Sequence, residues 1–150
     1  MGSQLYNTYG DIGNVELLFK YGFIDDPNPF SSVELHIQDF IDFIAQHTCT
    51  AHNPSLVCHA AIDSAFDKGK ICESVHLSKV PKIEKEVLKW FQKAYKGQPD
   101  LKSCVVDFLK FRKKSFNFEG APRNRNQQVA RALSEEQMSI IDSYICFINS

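Results

Sequence analysis

Apolar residues recur every three or four positions in two stretches of the first half of the chain, which is the spacing of a helix with one buried face. The first stretch covers residues 15 to 21, and we expect Asn14 and Gly22 to cap its two ends. The second covers residues 39 to 46, where aromatic and aliphatic side chains follow the same spacing. The pattern predicts two short helices.

The second half of the chain has the same periodicity over longer stretches. It predicts a pair of helices over residues 83 to 95 and 100 to 112. Two further helices are predicted over residues 127 to 133 and 134 to 148. The break between these two is predicted by a capping-box pattern, Ser134-Glu135-Glu136-Gln137.

Strands and loops are predicted between these helices. Residues 5 to 9 are β-prone and run into a glycine, and residues 33 to 37 alternate apolar and polar side chains as a half-buried strand does. Residues 25 to 29 contain two prolines and predict a loop, as do residues 117 to 126. Residues 47 to 82 have weak periodicity, and a helix or a short strand pair both remain open there.

Composition narrows the class of partner. The chain has 17 basic and 18 acidic side chains and a formal net charge of -1, so its overall charge attracts neither nucleic acid nor an anionic membrane surface. No stretch approaches the roughly 20 apolar residues that span a bilayer. An odd number of irregularly spaced cysteines is typical of a reducing compartment. We therefore expect an intracellular protein of the cytoplasm or nucleus, or of the chloroplast if it comes from a plant.

Two clusters could carry other chemistry. The basic run from Lys110 to Lys114 lies beside several phenylalanines and could form a nucleic-acid patch, but a solvated helix end is favoured because cations suit that end of a helix dipole. Four potential zinc ligands do not have the usual paired spacing, so no metal site is predicted: Cys49, His52, Cys58 and His59.

A more specific pattern occupies residues 7 to 24, which read NTYGDIGNVELLFKYGFI. It resembles the closing motif of SET domains in the Rubisco large-subunit and ribosomal-protein lysine methyltransferases, in which Tyr-Gly, Ser-Asn, Glu-Leu-Leu and Tyr-Gly-Phe follow at this spacing. Here Gly13-Asn14 replaces the usual Ser-Asn. A weaker resemblance to the late helices of those proteins extends over residues 124 to 137.

The resemblance implies a mainly α fold with two parts. Residues 1 to 35 would form the end of a SET β-fold, and residues 36 to 150 an all-helical substrate-binding domain of the Rubisco-methyltransferase type. It implies an S-adenosylmethionine-dependent protein-lysine N-methyltransferase, whose partner is a protein substrate that carries the target lysine.

The chemistry of methyl transfer explains why tyrosines matter in this motif. The enzyme must present a neutral amine, whose free pKa is about 10.4, in line with the methyl group. A phenol oxygen can accept a hydrogen bond from that amine, and an aromatic face can surround an ammonium group. By resemblance, Tyr9 is the catalytic tyrosine, Tyr21 lines the lysine channel and Phe23 packs near the cofactor adenine. The alternative is that these aromatic residues only fill a junction between sheet and helix.

The SET enzymes also have a glycine-containing cofactor motif and an Asn-His-Ser type motif upstream of the tyrosine, and neither occurs before Tyr9. We therefore expect a fragment of the catalytic domain that is inactive alone. A non-catalytic helical module that binds a protein partner is the alternative function.

The affinity of the chain for S-adenosylmethionine tests whether the chain is such a fragment. The isolated chain should bind S-adenosylmethionine weakly, because half a pocket leaves polar groups of the ligand without hydrogen-bond partners. Calorimetric titration measures this affinity directly. A dissociation constant in the low micromolar range would show that the pocket is complete without the upstream motifs.

Overall fold

The computed structural model describes residues 8–47, 74–79, 101–117 and 120–150. Its elements, in chain order, are α1 (Asn14–Tyr21), β1 (Ser32–His36), α2 (Ile37–His47), β2 (Ser74–Ser78), α3 (Leu101–Lys114) and α4 (Arg125–Asn149). The predicted strand over residues 5 to 9 lies mostly outside the described residues, and the predicted helix over residues 83 to 95 lies entirely outside them.

The two strands form an antiparallel pair in which Val33 lies opposite Leu77 and Leu35 opposite Val75. The strand predicted over residues 33 to 37 is confirmed, with a shift of one residue. Val33, Leu35 and Leu77 are buried, so the alternation in β1 places one face of the sheet against the core. Strand β2 lies in the segment where helix and strand both remained open, and the expectation of an all-helical second part did not include it.

Helices α2 and α4 pack on this sheet, and α3 packs against both of them. Helix α2 contacts β1 and α3, and helix α4 contacts α3 and both strands. At the centre, the ring of Phe108 lies 5.0 Å from that of Phe40 and 5.6 Å from that of Phe43, measured between centroids. Aromatic pairs in such tilted arrangements add to the free energy gained by burial. This core fixes α2, α3 and α4 on the sheet.

Helix α1 ends at Tyr21 as predicted, but it begins one residue earlier than the prediction. Gly13 is the N-cap, and Asn14 is the first helical residue, so the predicted Asn14 cap is wrong. The side-chain amide of Asn14 does not point toward the free N–H groups of the first helical turn. It points into the protein, where it bonds to Asp25, Asn28 and Glu136. Gly22 ends the helix as predicted, in the left-handed conformation at φ 78°, and its N–H donates to the carbonyl oxygen of Leu18.

Helix α4 is continuous over 25 residues, so the predicted break at Ser134 is wrong. The N-cap is Asn124, whose side-chain oxygen accepts from the N–H of Gln127 at 2.9 Å. The Ser134 hydroxyl donates to the carbonyl of Ala130, one turn earlier, at 3.0 Å. A serine can form this bond inside a helix, so a capping-box pattern alone does not fix a helix start.

The basic run at the end of α3 is a helix end, as predicted, and it also ties the helices together. Arg112 lies 3.2 Å from Asp39 of α2, and Lys113 lies 2.7 Å from Asp142 of α4. Lys110 lies 3.3 Å from Asp107 of α3 itself, so three cations of the run have acidic partners within the protein. Among the helices that the structure describes, none is long and apolar enough to cross a membrane.

Because α4 is continuous, substitutions at Asn124 and at Ser134 should change the free energy of unfolding by different amounts. Asn124→Ala should lower the free energy of unfolding by about 1 kcal/mol because it removes a cap. Ser134→Ala should leave it unchanged or raise it by up to about 0.5 kcal/mol, because alanine favours a helix interior. Chemical denaturation of both variants measures the difference. A larger loss at Ser134 than at Asn124 would indicate a helix start inside α4.

Candidate functional site

The three site residues predicted from the sequence motif lie together. The ring centroids of Tyr9 and Tyr21 are 4.6 Å apart, those of Tyr9 and Phe23 are 5.3 Å apart, and those of Tyr21 and Phe23 are 6.4 Å apart. We call these three residues the aromatic cluster. The two tyrosines are 51% and 50% exposed and Phe23 is half-buried. The cluster is therefore partly exposed at the surface of the described part of the chain.

Both Tyr-Gly steps place the glycine in the left-handed region, with φ 86° at Gly10 and 78° at Gly22. A Cβ at either position would meet no atom within 4 Å, so the requirement for glycine comes from the backbone angle and not from lack of space. The chain turns immediately after Tyr9 and again after Tyr21. These two turns bring the rings together, and the motif's spacing predicts where they occur.

Asn14 holds the segment that carries Phe23. Its Nδ2 donates to the carbonyl oxygen of Asp25 at 2.9 Å, and its Oδ1 accepts from the N–H of the same residue at 2.9 Å. Two hydrogen bonds to one residue fix both its position and its orientation. The segment that follows α1 is therefore held to the first residue of that helix. The periodicity predicts Asn14 as a cap and gives no sign of this role.

Asn28 has a second buried side-chain amide, which bonds to that of Asn14. Asn28 donates from Nδ2 to Asn14 Oδ1 and to the carbonyl of Ile12, both at 3.0 Å, and accepts from the N–H of Phe30 at 2.9 Å. The Ser31 hydroxyl accepts from the N–H of Asn14 at 3.3 Å. These bonds satisfy polar groups that burial would otherwise leave without partners.

A carboxylate from the last helix completes this network. Glu136 of α4 accepts from Asn14 Nδ2 at 2.9 Å through one oxygen and from Lys79 Nζ at 2.9 Å through the other. The same ammonium group donates to the carbonyl of Asn28 at 3.1 Å. The Glu136 side chain is 13% exposed, so its charge is compensated by Lys79 in a largely buried setting. Asn14 and Glu136 are 122 positions apart, and no local pattern predicts their contact.

Gly13 lies where two backbone segments approach closely. A Cβ there would lie 3.0 Å from the carbonyl oxygen of Phe30 and 3.3 Å from Ser31 Cα. A serine, as in the motif that the sequence resembles, would require that backbone to move by a few tenths of an ångström. The glycine therefore permits the close approach of the loop that carries Asn28.

The outward face of α1 is apolar where Val15 and Phe19 lie, with exposures of 54% and 90%. Beside them Lys20 forms an i,i+4 pair with Glu16. The hydrogen bond and the charge of Glu16 raise the pKa of Lys20 above its ordinary value.

The outer face of the sheet carries Glu34 between two imidazoles. Its carboxylate oxygens lie 3.8 Å from His36 Nε2 and 3.9 Å from His76 Nε2. In the part of the chain that the structure describes, no group of three or more histidine, cysteine, aspartate or glutamate side chains could hold a metal ion. The four potential zinc ligands considered from the sequence, Cys49, His52, Cys58 and His59, lie outside the described residues.

Comparison with known proteins gives one short similarity. Over 36 residues, 24% of this chain, the sequence is 53% identical to "Ribosomal lysine N-methyltransferase set10" of Schizosaccharomyces pombe. The match covers 7% of the length of that protein. No family model and no solved structure matches the chain. A short segment of the chain is thus similar to part of a lysine methyltransferase.

The glycine after Tyr21 provides a test of the local geometry. Gly22→Ala should lower the free energy of unfolding by about 1 kcal/mol or more, because a Cβ is strained at a positive φ. Gly22→Asn should cost less, since asparagine tolerates this conformation. Denaturant unfolding of both variants measures the two losses. Equal stability of the alanine variant and the parent would show that Gly22 does not need the left-handed region.

Proposed function

We propose that this chain forms part of an S-adenosylmethionine-dependent protein-lysine N-methyltransferase and that the aromatic cluster lies at its methyl-transfer site. The observation that carries the proposal is the assembly of Tyr9, Tyr21 and Phe23 into one partly exposed cluster by two Tyr-Gly turns. The short similarity to a lysine methyltransferase supports the same activity. The protein partner is a substrate that carries the target lysine.

The roles of the three side chains follow from their chemistry. The Tyr9 hydroxyl accepts a hydrogen bond from the substrate amine and orients its lone pair, and Tyr21 provides an aromatic wall for the lysine side chain. Phe23 packs against the adenine ring. S-adenosylmethionine, when bound, supplies the methyl group from its sulfonium. The two tyrosine rings lie 4.6 Å apart, so both can contact one lysine side chain.

The proposed architecture assigns residues 1 to 35 to the end of a SET domain and residues 36 to 150 to a substrate-binding domain. The predominance of helix among the described residues after position 36 supports the second assignment. Strand β2 is an addition to that scheme, since it pairs with β1 across the proposed boundary. The two parts therefore share one hydrophobic core.

A non-catalytic interaction module is the second candidate, and one observation favours it. Phe19 is 90% exposed and has Val15 one turn away on the same helix, which is an unusual exposure for a phenylalanine. An exposed apolar face of this kind can bind a protein partner without catalysing a reaction. Methyl transfer to a lysine separates the two functions, because a module that only binds does not consume S-adenosylmethionine.

The catalytic assignment of Tyr9 can be tested by comparison with Tyr144, whose hydroxyl accepts a hydrogen bond inside the fold. In the complete protein that contains this chain, Tyr9→Phe should lower single-turnover methyl transfer about 10²-fold or more, which corresponds to roughly 3 kcal/mol, with little change in KM. Its thermal stability should not change, because the side chain is half exposed.

Tyr144→Phe is the matched control. Its buried hydroxyl accepts from the N–H of Ser78 at 3.2 Å, so its loss should cost about 1 kcal/mol of stability and leave turnover unchanged. Rates and melting temperatures of both variants are measured together. Near-normal turnover of Tyr9→Phe would remove Tyr9 from the catalytic role.

A further inference from the structure

The segment that carries Phe23, a member of the aromatic cluster, is held at both ends. At one end, Gly22 caps α1 through its bond to Leu18. At the other end, Asn14 pairs with both backbone groups of Asp25. Tyr21 is the last residue of α1, and Phe23 lies between the two fixed points. A change in the Asn14 side chain therefore changes the path of the backbone beside the cluster.

The two hydrogen bonds to Asp25 require one orientation of the Asn14 amide. In the observed orientation Nδ2 faces the Asp25 carbonyl and Oδ1 faces the Asp25 N–H. Rotating the amide by half a turn would place Oδ1 against that carbonyl and against the Glu136 carboxylate, which accept hydrogen bonds and donate none. The negative charge from α4 thus adds to the Asp25 backbone in disfavouring the wrong orientation.

Glu136 can act in this way because its own position is fixed. Lys79 occupies one carboxylate oxygen and leaves the other, Oε2, for Asn14. The side chain is largely buried, and bonds to a charged group in such surroundings are stronger than those between neutral groups. The core that holds α4 against the sheet sets where this carboxylate lies.

We propose that Glu136 and Asn14 are positioning residues for methyl transfer. Glu136 helps to fix the orientation of the Asn14 amide, Asn14 fixes the segment from Gly22 to Asp25, and that segment places Phe23 relative to Tyr9 and Tyr21. This inference rests on the proposed function, and it extends that function to a side chain on the last helix. The side-chain hydrogen bonds that the structure describes for Asn14 and Glu136 go to the Asp25 backbone, Asn28, Lys79 and each other, so both act through the backbone.

The kinetic test compares neighbouring positions on α4. Glu136→Leu should lower kcat about tenfold or more, because a misplaced Phe23 would no longer hold the bound methyl donor in line with the amine. It should also raise the KM for S-adenosylmethionine, because Phe23 packs against the adenine. Glu136→Gln keeps one acceptor oxygen, which can accept from Asn14 Nδ2 or from Lys79 Nζ but not from both, so its kcat should lie between those of the parent and of Glu136→Leu. All rates are measured on the complete protein at a temperature where melting curves show each variant folded.

Gln137→Leu is the matched control for lost stability. Gln137 is buried beside Glu136 and donates to the carbonyl of Ser32 at 3.1 Å, so it also joins α4 to the first part of the chain but touches β1 instead of Asn14. It should lose stability and keep the parent kcat. A purely structural role for Glu136 predicts the same behaviour for Glu136→Leu.

A second readout does not depend on activity. Hydrogen exchange of the Asp25 amide should accelerate about tenfold or more in Glu136→Leu and stay near the parent rate in Gln137→Leu. Cross-ring NOEs between Tyr9 and Phe23, whose centroids lie 5.3 Å apart, should weaken in the first variant only. Glu136→Ser, which leaves room for water beside the amide, replaces the leucine variant if that variant does not fold.

The outcomes separate the two proposals. If the parent protein transfers no methyl group to lysine, the proposed function fails, and exchange and NOEs still decide whether Glu136 positions the cluster. If the parent is active and Glu136→Leu behaves as Gln137→Leu does in kcat, exchange and NOEs, the positioning role is overturned and the proposed function stands.

Discussion

The side-chain amide of Asn14 is the contact on which the arrangement of the first part of the chain depends. Its two hydrogens and its oxygen are used by the Asp25 backbone, by Asn28 and by Glu136. Each removed partner would leave a buried polar group unpaired at a cost of about 1 to 3 kcal/mol. One small side chain therefore joins the start of α1, the loop behind it and the last helix.

Hydrophobic packing and hydrogen bonding have different tasks in this molecule. The phenylalanine-rich core holds α2, α3 and α4 on the sheet, and such packing is nondirectional. Helix α1 has one buried apolar side chain, Leu17, and its outer face is exposed. Directional polar contacts therefore decide where α1 lies. The geometry of the aromatic cluster depends on those contacts more than on the core.

Periodicity in the sequence predicted α1, β1, α2 and α3, because each buries one face and its apolar residues follow one period. It failed at Ser134, where a capping pattern occurs inside α4 and the hydroxyl bonds to the previous turn. The motif predicted that Tyr9, Tyr21 and Phe23 belong together, since two glycine turns fix their local geometry. The roles of Asn14, Lys79 and Glu136 could not be predicted, because their partners come from segments far apart in the chain.

The contact between Asn14 and Glu136 also constrains the order of folding. Contacts between residues 122 positions apart form late, because the entropy of closing so long a loop must be overcome before they contribute stability. During synthesis the segment with the tyrosines leaves the ribosome before the helix that anchors it. The contact that orients the Asn14 amide can thus form only after α4 has been synthesised.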